Sequence, residues 1–181
     1  MNTLVTYWSQ TGNTRKIAEA IYETLSCEKE IKPFDEVVSL EGFDLTFIGF
    51  PVMKFGPPGQ AKKFIDTLAK GRTIALFVTH ATLSESKDPS QQDMLEKELN
   101  RCRAACAQSD LVGMFHCQGE LSEKIANELH ASGILMLMEF AAWRPNTIGH
   151  PDHQEIEQAQ DFALKMTTLR RATQPGNNPP Y

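Results

Sequence analysis

Five short apolar runs recur along this chain, each leading through polar or glycine-containing sequence toward helical spacing, and this alternation restricts the fold more than any other feature. Residues 3–8 (TLVTYW) are β-branched and aromatic, which suits a buried strand. From Asn13 onward Ile17, Ile21 and Leu25 return every four positions, with Arg15, Lys16, Glu19 and Glu23 on other faces, so a helix follows. Residues 30–38 read as a poorer strand broken by Pro33, and a residue without a backbone N–H is tolerated chiefly at a sheet edge. Residues 43–50 (FDLTFIGF) and 72–79 (RTIALFVT) are nearly continuous apolar runs, as expected of central parallel strands covered on both faces. A helix over 62–70 separates them. A longer helix over 91–107 precedes a fifth strand over 111–117, and helices from about 122 and over 152–169 complete the pattern. This order predicts an α/β fold: a doubly wound, five-stranded parallel sheet with right-handed crossovers and helices on both faces.

A length of 181 residues with 41% apolar content fits one domain, taken as residues 1–171. Residues 172–181, with Pro175, Pro179 and Pro180, are expected to form a flexible tail. The 18 basic and 23 acidic side chains leave a net charge of −5, which gives no support to a nucleic-acid-binding face. Cys27, Cys102, Cys106 and Cys117 have neither redox-motif nor zinc-ligand spacing, and the start does not resemble a secretory signal, so free thiols in a cytoplasmic setting are expected. The apolar run from Ile134 to Trp143 is about half the ~20 residues a membrane helix needs, so no membrane span is expected. It reads as a buried helix, with a homodimer or partner contact as the other reading. His150 and His153 have a spacing that suits a metal, but Pro151 and Asp152 beside them point to a helix start and no metal.

In a doubly wound sheet the ligand lies beyond the carboxyl ends of the strands near the switch point, so the loop after the first strand is informative. It reads Ser9, Gln10, Thr11, Gly12, Asn13, Thr14: three hydroxyls, one glycine and two amides just ahead of an amphipathic helix. Hydroxyls donate to phosphate oxygens, Gly12 lets backbone amides turn inward, and the helix dipole favours negative charge. A phosphate monoester fits, while the glycine-rich signatures of dinucleotide and P-loop nucleotide sites are missing. The competing reading is an ordinary helix cap built from the same residue types.

The stretch from Tyr7 to Thr14 (YWSQTGNT) resembles the FMN phosphate loop of the flavodoxin family, and similarity continues through residues 43–51, 56–59, 115–119 and 149–152. The resemblance implies strand order 2-1-3-4-5 and FMN as cofactor, its phosphate at Ser9, Gln10, Thr11, Gly12, Asn13 and Thr14. It places the flavin ring between Pro51, Val52, Met53, Lys54, Phe55 and Gly56 after the third strand and Thr79 and His80 after the fourth. Where many flavodoxins flank the ring with tryptophan and tyrosine, these loops offer Met53 and Phe55, then His80 and Leu83. Gly56 is expected to supply peptide flexibility, and Lys54 and His80 positive charge. The implied function is electron transfer between a reductase and a redox partner protein; the alternative is an NAD(P)H-dependent FMN or quinone reductase. No catalytic residue is assigned, since no nucleophile–base set or paired carboxylates are legible.

Overall fold

The computed structural model describes residues 1–84 and 86–173. Five parallel strands, β1 (Asn2–Tyr7), β2 (Glu28–Pro33), β3 (Leu45–Pro51), β4 (Thr73–His80) and β5 (Asp110–Gln118), form one sheet in the order β2-β1-β3-β4-β5. Strand order and edge position of β2 agree with expectation. The second strand itself is shorter and earlier than residues 30–38: pairing stops at Pro33 opposite Tyr7, and Phe34–Glu36 turn into a 3-10 helix. That turn seats the Phe34 ring on Phe64, with centroids 4.2 Å apart, so aromatic burial replaces further pairing.

Helices α1 (Asn13–Thr24) and α6 (His153–Thr173) cover one face of the sheet, around Val5, Phe47, Ala75 and Phe77. Helices α2 (Gly59–Phe64) and α3 (Pro89–Ala105) cover the other, around Leu4, Ile48, Leu76 and Val78, and α2 continues as a π turn over Ile65–Ala69. Alternate residues of each strand thus serve opposite cores, which is why the central strands are apolar throughout. Gly49 is the tightest point: a side chain there would overlap the ring of Phe77 on β4, itself fully buried. Gly49→Ala is therefore expected to cost about 1–3 kcal/mol through overpacking. Urea unfolding checks this as a lower midpoint at unchanged slope.

The four cysteines are free, and burial pushes the thiols of Cys102 and Cys106 up to about 12 and about 11. Helix α6 runs to Thr173, so residues 172 and 173 belong to it rather than to the tail expected from 172; residues 174–181 lie outside the described residues. Among the described residues no helix is long and apolar enough to cross a membrane.

Residues 134–143 depart from expectation. They form α5 (Leu135–Ala142) after α4 (Glu123–Ala131), but Ile134, Leu135 and Met136 are 54, 73 and 53% exposed rather than buried. A run that is apolar apart from Glu139 presents apolar side chains nearly all round a helix, whereas α5 enters a small cluster with Leu121 and Ala126 through Phe140 and Ala141. Both sheet faces are already covered, so the outer side of α5 has no layer to enter.

Candidate functional site

Strand β1 ends at Tyr7, and the Trp8 N–H still bonds the Gly49 carbonyl at 2.9 Å before the chain leaves the sheet. Gly12 then adopts a left-handed conformation, φ +99°, that any other residue would hold only at a cost. Its N–H donates to the Ser9 hydroxyl at 3.1 Å, and Lys16 is the first residue to bond back into the helix, to the Gly12 carbonyl at 2.9 Å. No side chain caps α1. Five polar residues surround this helix start, yet among the described residues the amides of Asn13, Thr14 and Arg15 have no acceptor. A start with a left-handed glycine and no side-chain cap leaves polarised backbone donors that an anion can accept from, and the ordinary-cap reading does not describe it.

The two remaining side chains anchor the cradle to the sheet. Asn13 donates to the Glu120 carbonyl at 2.9 Å across Gly119, where a side chain would strike the Asn13 amide. The Thr14 hydroxyl is buried and pairs with that of Thr79 at 2.8 Å. Gln10, Thr11 and Gly12 are exposed, and the Thr11 hydroxyl has no partner among the described residues.

After β3 the chain makes a two-residue turn: Met53 and Gly56 exchange both backbone hydrogen bonds, at 2.8 and 3.1 Å, around Lys54 at φ +50° and Phe55 at φ +65°. Two consecutive non-glycine residues at positive φ store strain of order 1 kcal/mol or more each. The positive-φ residues of the turn are thus Lys54 and Phe55, while Gly56, expected to supply peptide flexibility, is the buried closing residue. Arg101 of α3 secures the turn by donating to the Phe55 carbonyl at 2.9 Å. Gln10, Met53, Lys54, Phe55 and Gly56 line a cleft of about 920 Å³ between α2 and α3.

Pro51, Val52, Thr79 and His80 remain part of the sheet rim. Val52 N–H bonds the Thr79 carbonyl at 2.8 Å, Gly119 N–H bonds the His80 carbonyl at 2.7 Å, and the Thr79 and His80 side chains are buried. His80 corrects an expectation. Its Nδ1 lies 3.0 Å from the Thr82 carbonyl, which can only accept, so Nδ1 carries the proton and Nε2 accepts from Nδ1 of His116 at 3.1 Å. Burial first, then His116, lowers its pKa to about 3, so His80 is neutral and supplies no positive charge. Behind it Thr82 donates to Glu98 at 3.0 Å, a carboxyl raised above its usual range chiefly by burial.

Sequence reading passed over Trp8, which lines the cleft, and Arg101, which fixes the turn. Trp8 directly precedes the phosphate-type loop, a legible position; Arg101 lies 46 residues from its partner and carried no local signal. Phe55 also borders a second groove of about 520 Å³ with Phe140 and Trp143. Carboxylates do accompany His150: Nδ1 is 2.7 Å from Glu155, and Asp152 lies in the same cluster. Asp152 and Glu155 accept each other's N–H at 2.8 and 3.0 Å, a reciprocal cap that begins α6 and employs these groups structurally.

Residues 4–164 match the family model described as flavodoxin domain. The flavodoxin-like domain-containing protein BilS of Clostridioides difficile (strain CD3) is 33% identical over 180 residues, spanning 92% of this chain and 96% of that protein. Among solved structures, a flavodoxin, WrbA-like protein from Agrobacterium tumefaciens superposes with a TM-score of 0.58 at 18% identity, over 96% of this chain and 99% of that one. A flavoprotein of Lactobacillus acidophilus NCFM, solved in complex with FMN, gives 0.51 at 17% identity, over 70% and 97% of the two chains. Matched along nearly its whole described length and built on the same strand order, the chain belongs to the flavodoxin domain family.

Proposed function

We propose that this protein binds FMN through Ser9–Thr14 and passes electrons between a reductase and a redox partner protein. The observation that carries the reading is the uncapped start of α1, whose free amides and left-handed Gly12 need an anion to complete them. The exposed Thr11 hydroxyl adds a donor from the side chain, and the Thr14–Thr79 and Asn13–Glu120 bonds hold the cradle against β4 and the segment that follows β5. Met53, Lys54, Phe55 and Gly56 form the turn on the ring side, and the rim at Pro51, Val52, Thr79 and His80 sets its floor. When bound, FMN supplies reversible one- and two-electron transfer. Around it, neutral His80 keeps the rim uncharged and Lys54 is the one cation of the turn.

The relative solved with FMN supports the choice of phosphate ligand. Exposed Ile134, Leu135 and Met136 support a contact with a partner protein, since contiguous apolar surface of this kind marks interaction sites. Adding FMN to the purified protein is expected to shift the visible flavin spectrum and quench flavin fluorescence. Thr11→Ala is expected to weaken binding by about 1.5–3 kcal/mol, the worth of a hydrogen bond to a charged group. No spectral change on adding FMN would overturn the reading.

A further inference from the structure

We propose that Glu98 of α3 is a positioning residue for the flavin ring, which ties the loop after β4 to the turn after β3 and so sets the two ring-side segments relative to each other. The inference rests on the FMN reading and adds to it a residue that belongs to neither segment. Among the described residues Glu98 is the only buried acidic residue, 3% exposed, on a helix face it shares with Leu95, Leu99 and Cys102. A carboxyl among apolar neighbours opposes folding unless its oxygens find partners, and an apolar side chain of similar volume would pack here without that cost. Core packing alone does not account for it.

Its partners lie on both sides of the ring's place. The Thr82 hydroxyl donates to Glu98 Oε2 at 3.0 Å, and the carbonyl of the same buried residue accepts from His80, so Thr82 is fastened at two points just beyond β4. Arg101 follows Glu98 by three residues on α3, and its positive charge favours the ionised Glu98 carboxyl against the opposing effect of burial. From there Arg101 donates to the Phe55 carbonyl at 2.9 Å. A Cβ added at Gly56 would touch the Arg101 stem at 3.7 Å, so this side chain lies along the turn as well as bonding to it. The turn holds two consecutive non-glycine residues at positive φ, a costly geometry that persists where its surroundings impose it. One helix thus carries both anchors, and its rigidity gives Thr82 and Phe55 a fixed separation. The far end of the β4 loop is held separately, by the Ser84 N–H on Gln118 at 3.1 Å, so losing Glu98 frees the Thr82 side without unravelling the loop.

The test uses the full chain with riboflavin and FMN, which present the same ring, and with inorganic phosphate, whose competition with FMN reports the cradle alone. Glu98→Ala is expected to weaken both flavins by the same factor, about tenfold, and to move the visible band of bound flavin toward that of free flavin. Competition by inorganic phosphate is expected to stay as in the unaltered protein, whereas a general loosening of the fold would weaken it too. Glu98→Gln keeps an acceptor for Thr82 and loses the attraction for Arg101, so its loss is expected to be smaller, about threefold. Arg101→Ala, at an exposed position, is expected to lose about tenfold, and adding it to either Glu98 variant is expected to cost less than the product of the single losses, because both restrain one gap. If circular dichroism shows that Glu98→Ala does not fold, Glu98→Gln, Arg101→Ala and their double variant carry the same comparison. Unchanged riboflavin affinity in the folded Glu98 variants, losses that multiply in the double variant, or phosphate competition weakened as much as ring binding overturns the proposal and leaves the FMN reading standing. A protein that takes up neither flavin overturns the FMN reading and this proposal with it.

Discussion

Gly12→Val is expected to cost about 2 kcal/mol, divided in a measurable way between stability and FMN affinity. At φ +99° the backbone of Gly12 is forbidden to a β-branched residue without strain of ~1–2 kcal/mol, although no neighbouring atom blocks a side chain there. If the loop keeps its shape, the cost appears as lowered stability of the protein without FMN. If the loop relaxes, the amides of Asn13 and Thr14 leave the cradle and the cost appears as affinity weakened by about 30-fold. Thermal unfolding without ligand and flavin fluorescence titration together recover the sum. Because Gly12 is exposed and the core does not touch it, the two readouts separate cleanly. A variant unchanged in both would show that the left-handed turn has no part in the site.

Acid is expected to destabilise the protein well above the pH at which carboxylates titrate. His80 is fully enclosed and neutral, with a pKa lowered to about 3 against an ordinary value of 6.5. The unfolded chain takes up this proton below pH ~6.5 and the folded chain does not, so the stabilisation is complete above that pH and is lost as pH falls toward 3. One such proton gives a slope of about 1.4 kcal/mol per pH unit, or roughly 2–3 kcal/mol lost by pH ~4.5. His116, lowered by burial and by Arg103, acts in the same direction, whereas the raised carboxyl of Glu98 opposes it. Urea unfolding between pH ~7 and ~4.5 reads the slope. His80→Asn keeps a donor for Thr82 and is expected to flatten the dependence. An equally steep slope in that variant would place the proton uptake elsewhere.

Much of the fold was legible because its signals are local. Each central strand is apolar on both faces, Pro33 marks the edge, and the polar loop ahead of the Ile17–Ile21–Leu25 stripe announces the helix start found at Asn13. Strand order was not in the periodicity; it came with the resemblance carried by Tyr7 to Thr14. What stayed hidden depends on contacts across the sheet. The charge state of His80 follows first from its burial within the fold and then from His116, 36 residues away, and the Lys54–Phe55 turn is held by a bond from Arg101. Thr14, a plain ligand candidate in its motif, turns its hydroxyl to Thr79, 65 residues on. The run from Ile134 to Trp143 shows the opposite failure: its composition says buried, but burial needs a neighbour, and composition does not say whether the fold has one to spare.

Side-by-side titration of the protein with FMN and with riboflavin tests the central claim most directly, because the two ligands share the ring and differ in the phosphate. If the uncapped start of α1 and the Thr11 hydroxyl hold that phosphate, losing two or more charge-assisted hydrogen bonds costs about 3 kcal/mol, and riboflavin is expected to bind about 100-fold more weakly than FMN. Inorganic phosphate at millimolar concentration is expected to compete with FMN and not with riboflavin. Equal affinity for the two flavins, or indifference to phosphate, would contradict the assignment of Ser9–Thr14 as a phosphate cradle.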